Sequence, residues 1–141
     1  YMNNIKKEDL KFGFNNEERV QPLLQKTFGK LTNNNIKNKY HPIDFKNNKY
    51  GVEYKRRRIK FGQYPTLMVN ISKINKGNKY MRKGKRVFYI WECDDDTYYW
   101  ELNDDQWNDG RGGTSRRGRD EYVDVAYIEN KYIKKLSSLI L

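Results

Sequence analysis

Three residues in the segment PIDFKNNKYGVEYK, positions 42 to 55, have the types and spacing to do chemistry: Asp44, Glu53 and Lys55. The segment reads as two β-prone runs joined by a tight turn at Asn47–Asn48, because asparagine tolerates the positive φ that such turns require. That turn sets Lys46 against Lys49, Phe45 against Tyr50 and Asp44 against Gly51. Successive side chains of a strand alternate between faces, so Asp44, Gly51, Glu53 and Lys55 share one face. Phe45, Tyr50, Val52 and Tyr54 take the other, where they can pack. Asp44 and Glu53 become diagonal neighbours with Cα atoms roughly 7–8 Å apart, and Gly51 leaves room beside Asp44.

Two carboxylates converging on one face repel each other, and each favours a compensating cation. A lysine supplies one positive charge; a hard divalent ion supplies two. Mg²⁺ is usually held by one or two carboxylates and keeps several waters. Such an ion lowers the pKa of bound water, and an adjacent lysine can orient or activate that water against a phosphodiester. The spacing therefore predicts metal-dependent phosphodiester chemistry with Mg²⁺, or Mn²⁺, held by Asp44 and Glu53. A plain salt-bridged hairpin also accounts for Glu53 and Lys55, by cross-strand pairing. Zinc is excluded: a structural site needs about four Cys or His ligands, and the chain has one cysteine, Cys93, and one histidine, His41.

The elements that must position these residues follow from periodicity. Val20, Leu24, Phe28 and Leu31 recur at helical spacing after Asn15 or Asn16, a capping residue, with Glu17 and Glu18 at the positive end of the dipole. Gly29 marks the helix end, and Pro22 should kink it or shift its start to 19–21. After the hairpin, Pro65 and Thr66 precede Leu67, Met68, Ile71 and Ile74, which predict a second amphipathic helix that Gly77 weakens. RVFYIWEC reads as a strand, Asp94–Asp96 as a turn and TYYWEL as the antiparallel partner. The glycine-rich stretch within residues 103–120 predicts a mobile basic loop. YVDVAYI is a last strand, and Asn130 could cap a closing helix on Ile133, Leu136 and Leu139 or Ile140. The expected fold is α/β in one domain spanning 1–141, a mixed central sheet flanked by helices, in the order α-β-β-α-β-β-(loop)-β-α.

Pro42-x-Asp44 followed by Glu53-x-Lys55 across a hairpin, behind a helix carrying an acid, resembles the PD-(D/E)xK nuclease superfamily. That superfamily includes restriction endonucleases, Holliday junction resolvases and several phage and viral nucleases. The resemblance covers residues 13 to 102, whose α-β-β-α-β order matches the restriction-endonuclease-like core; the chain adds a C-terminal strand and helix. It departs in one place, where Ile43 separates Pro42 from Asp44. The resemblance implies an endonuclease acting on DNA, with Asp44 and Glu53 as metal ligands, Lys55 assisting the attacking water, and Glu17, or less favourably Glu18, contributing from the first helix. It also allows a homodimer, since family members commonly dimerise to cut both strands.

Composition agrees with a polyanionic partner. The chain of 141 residues carries a formal net charge of +11, with 33% charged and 36% hydrophobic residues, which favours nucleic acid over a membrane surface. Its 15% aromatic content argues against disorder. No stretch approaches the roughly 18 apolar residues of a membrane span. A single cysteine and no apolar leader point to a reducing, intracellular setting, cytoplasm or nucleus, which for a phage or viral nuclease is the host cell's. Arg56, Arg57 and Arg58, with alternation placing Arg57 on the acidic face, are candidate phosphate contacts. So are Lys73, Lys76 and Arg82 along the second helix and Arg116 and Arg117 in the loop. The competing readings are a non-catalytic nucleic-acid-binding module that keeps the fold, and a structural protein of a packaged genome.

Overall fold

A computed structural model of the chain describes residues 18–36, 43–114 and 121–141. Among the described residues, two sheets and two α-helices make up the architecture. The first helix, α1, holds residues 18–28, and short strand β1 (Thr32–Asn33) follows it. Strands β2 (Phe45–Lys46) and β3 (Tyr50–Arg56) form the hairpin; β4 (Thr66–Asn70) leads into helix α2 (Ile71–Arg82). Then come β5 (Arg86–Glu92), β6 (Thr97–Glu101), β7 (Asn108–Thr114), β8 (Glu121–Glu129) and β9 (Lys134–Lys135). The central sheet runs β1-β2-β3-β5-β6-β9, and a smaller one runs β4-β8-β7. Pairing of β3 with β5 is parallel and the rest of the central sheet is antiparallel. The expected mixed α/β sheet flanked by helices is therefore present, as is its α-β-β-α-β core.

Strand alternation divides the central sheet into two cores. On one side Phe45, Val52, Tyr54, Phe88 and Ile90 pack against Val20, Leu24, Phe28 and Leu31 of α1 and its exit. On the other, Val87, Tyr89 and Trp91 pack with Ile74 and Tyr80 of α2 and with Leu67, Val69, Ala126 and Ile128 of the small sheet. The helix α1 runs unbroken through Pro22 and ends at Gly29, whose φ of 81° is the left-handed geometry that favours glycine. Arg19 and the Tyr54 hydroxyl both donate to Glu92 Oε1 and so fasten α1 to β3 and β5. Burial works against the Glu92 charge, but these two hydrogen bonds and the charges of Arg19 and Arg56 together outweigh it and hold the carboxyl below its ordinary pKa.

Three expectations fail. Residues 66–70 form a strand where the helix was to begin. Leu67 and Val69 are buried while their neighbours are less so, a period of two, and the strand pairs along its whole length with β8. Residues 108–114, expected in a mobile loop, form β7 against β8. A Cβ at Gly110 would enter the ring of Tyr127, so the glycine lets that ring lie across the strand, where its hydroxyl donates to Arg111 O at 2.9 Å. The closing helix is absent. Asn130 ties back to the Tyr64 and Pro65 carbonyls instead of capping. The tail then runs through 3₁₀ turns and β9, so that Ile133 reaches one core while Leu136 and Leu139 reach the other. A helix would present those three on one side only. Pairing with β6 also covers an edge that would otherwise be open.

Candidate functional site

The hairpin turn sits one residue later than expected, centred on Asn48–Lys49. Asn47 N–H donates to Tyr50 O at 3.0 Å, while Asn47 Oδ1 accepts from the amides of Lys49 and Tyr50 at 2.9 and 2.8 Å. The other end of the same side chain donates to Phe28 O, at the end of α1, and to Lys30 O just beyond it. One asparagine thus locks the hairpin and docks it to the helix end.

The later turn moves the register by two positions. Lys46 pairs with Gly51 and Phe45 with Val52, and one further step sets Asp44 directly across from Glu53. A two-residue shift preserves side-chain parity. The shared face survives, and the two acids become direct neighbours, with Cα atoms about 4.5–5.5 Å apart in such a pair. Gly51 changes role: it offers no space beside Asp44, because the Tyr80 ring of α2 occupies it and a Cβ there would collide with that ring.

Both acids are buried, each at 4% exposure. Asp44 is held on all sides. Its Oδ1 accepts from Asn35 Nδ2 at 2.6 Å, its Oδ2 from Tyr54 N at 2.9 Å, and its carbonyl from Asn34 N at 2.8 Å. Asn34 Nδ2 donates to Ile43 O at 2.9 Å and to the Tyr80 hydroxyl at 3.3 Å. Glu53 differs. Its Oε2 takes the ammonium of Lys73, whereas its Oε1 accepts no hydrogen bond among the described residues. Lys55 lies two residues on along the same face and is exposed at the strand end. Parallel pairing sets Glu53 beside Tyr89, whose hydroxyl donates to Lys73 O at 2.8 Å. Burial pushes the Tyr89 hydroxyl pKa up strongly, with Asp104 adding to the effect, so it stays a neutral donor. Gly77 makes this contact possible, since a Cβ there would strike the Tyr89 hydroxyl.

An all-oxygen donor set of two carboxylates, one with an unpartnered buried oxygen, suits a hard divalent ion that retains waters. Among the described residues no cluster of three or more His, Cys, Asp or Glu side chains gathers for metal binding, so any further ligands are water, substrate or residues outside that set. The Asp94–Asp96 run serves a turn: Asp94 pairs with Arg56, and Asp95 accepts from Phe61 N and the Tyr98 hydroxyl. Asp96 accepts from Thr97 N.

A family model described as "Phage putative PDDEXK endonuclease" matches residues 15–138. The chain belongs to this family. No curated protein and no solved structure matches it. For a PDDEXK endonuclease, nucleic acid is the substrate class. No helix among the described residues is long and apolar enough to cross a membrane.

Placement of the other expected residues is uneven. Glu17, Pro42, Arg116 and Arg117 lie outside the described residues; Glu18 is exposed on α1. Arg56 turns away from the acids, pairing with Asp94 and donating to Glu92 O. The strand ends at Arg56, so alternation does not extend to Arg57, whose amide donates to Glu92 O; Arg58 is exposed. Arg82 is exposed, and Lys76 and Lys85 lie over the Tyr80 ring, 5.6 and 5.2 Å from its centre. Burial, then the charges of Lys46 and Lys83, depress the Lys85 pKa. Sequence reasoning missed Asn34 and Asn35 as the holders of Asp44, and no signal sets them apart in so asparagine-rich a chain. It also treated Lys73 as a flanking cation. A helix starting at 71 would have revealed it, because Lys73, Gly77 and Tyr80 share a stripe at i, i+4 and i+7.

Proposed function

We propose that the chain is a divalent-metal-dependent endonuclease hydrolysing DNA phosphodiester bonds. The observation that carries this reading is the pair Asp44 and Glu53, buried side by side on one sheet face, with Glu53 Oε1 accepting nothing among the described residues. An anionic oxygen left so is costly, by about 1–3 kcal/mol or more, and a bound cation removes the cost. Mg²⁺ or Mn²⁺ fits the oxygen donors, and when bound supplies Lewis-acid activation of water and of the phosphodiester.

The remaining roles belong to the chain. Asp44 is fixed by Asn35 and the Tyr54 amide, so its carboxylate needs little reorganisation to act as ligand. Lys55, exposed at the strand end beyond Glu53, orients the attacking water and offers its charge to the phosphate. Glu17, just before the first described turn of α1, contributes a further carboxylate. Arg57, Arg58, Lys76 and Arg82, with Arg116 and Arg117 beyond the described strand end, grip the backbone without reading bases. Arg56 is committed to the β5–β6 turn, and its grip on substrate requires release from Asp94. The family description points to a phage protein, acting alone or as a homodimer.

The test is incubation with labelled linear, nicked and four-way-junction DNA, and with RNA, in Mg²⁺, in Mn²⁺ and in chelator. Metal-dependent products support the reading and show which substrate is preferred. Salt-sensitive binding with no product in either metal would leave the non-catalytic nucleic-acid-binding module in its place.

A further inference from the structure

Resting on the metal-dependent reading above, we propose that Lys73 is a resident counter-ion of the metal site, holding Glu53 while the divalent ion is absent and leaving that carboxylate when the ion binds. The Lys73 ammonium bonds Glu53 Oε2, the more accessible partner in a pair whose side chains are 30% and 5% exposed. The Glu53 backbone is held in β3 beside β5, and its side chain is buried. The backbone of Lys73 is held as well. Tyr89 holds its carbonyl at 2.8 Å, Ile74 and Gly77 are buried against the sheet, and the Tyr80 ring sits on Gly51.

The Lys73 side chain is therefore the group that responds. Four rotatable carbons and partial exposure give it a path to solvent. A dication at its contact distance of about 2.0–2.1 Å from a carboxylate oxygen approaches the same carboxylate the ammonium already neutralises, and the two repel. The pair therefore keeps the metal-free fold stable, since one cation already offsets the buried Glu53 charge. It also weakens metal binding by the work of displacing that cation. Lys73 is a positioning residue in this account, acting through Glu53.

Calorimetric titration of Mn²⁺ into the full chain tests it, with wild type compared against Lys73→Met. The variant is expected to bind Mn²⁺ about tenfold more tightly or better, to melt lower than wild type without metal, and to regain that loss when Mn²⁺ is added. Equal or weaker affinity overturns the proposal, as does Mn²⁺ binding undetectable in both proteins. The second measurement needs no variant: acylation of wild-type lysines by an amine-reactive ester, quantified by peptide mass spectrometry. Labelling at Lys73 should accelerate several-fold on Mg²⁺ addition, and an unchanged rate contradicts the exchange. The endonuclease reading fails separately, by absence of cleavage in metal-loaded wild type. Cleavage with unaltered Lys73 labelling and unaltered affinity sinks the lysine proposal alone.

Discussion

Asp44→Asn isolates the charge that the proposed chemistry needs from the contacts that hold the hairpin. The aspartate accepts one hydrogen bond on each oxygen, from Asn35 Nδ2 and from the Tyr54 amide. An asparagine keeps one acceptor and turns its NH₂ toward the other donor, so one bond is lost and two donors face each other in a buried place. The cost is about 1–3 kcal/mol, which for a domain of this size lowers Tm by roughly 3–12 °C. The core residues on both faces are untouched, so a cooperative melt should remain. Loss of a preorganised anionic ligand should lower cleavage by at least 10²–10³-fold, on the order seen when one electrostatic group is removed from a site. The assay is single-turnover cleavage of labelled DNA in Mn²⁺ at a temperature where both proteins are more than nine-tenths folded by circular dichroism, with chelator as blank. A folded Asp44→Asn protein cutting within a few-fold of the wild-type rate refutes the assignment.

Lys55→Ala should abolish cleavage while Tm stays within about 1–2 °C, because truncating an exposed side chain rarely moves stability by more than about 0.5 kcal/mol; equal turnover by this variant removes the lysine from the mechanism. Gly51→Ala should lose about 1–3 kcal/mol by overpacking against Tyr80, and a denaturant midpoint matching wild type would show that the ring gives way freely. Glu92 supplies a pH signature. Its folded pKa lies below the ordinary value, so it binds fewer protons folded than unfolded, and its contribution is complete above about pH 4.5 and lost as pH falls through the folded pKa. Thermal melts from pH 6 to 3 should fall less steeply for Glu92→Gln than for wild type, and parallel curves would show that Arg19 and Tyr54 do not stabilise the charge.

The acids and the lysine were legible because a strand has a period of two. Any register differing by an even number keeps Asp44, Glu53 and Lys55 on one face, so an error in the turn left the shared face intact. The helix α1 was legible for a similar reason, its stripe of Val20, Leu24, Phe28 and Leu31 being long and regular. Short elements were not. Residues 66–70 and the tail after Asn130 carry apolar residues compatible with either period, and their partners lie far away in sequence, 55–63 residues for the first and 35–37 for the second, so strand pairing with β8 and β6 overrode local preference. Glycine-rich β7 carries no apolar signal, and only the Tyr127 ring and the β8 ladder make it a strand.

By itself, then, the order of residues determined the chemical type of the candidate site, two carboxylates and an amine on one β-ribbon, since parity along a strand needs no distant partner. Tertiary structure alone decided what surrounds them. Asn35 reaching Asp44 and Lys73 reaching Glu53 join segments 9 and 20 residues apart. Such contacts depend on where α2 and the 34–36 turn dock against the sheet, and docking is set by the packing of Tyr80 on Gly51 and Gly77 under Tyr89, a complementarity of shapes that no local pattern encodes.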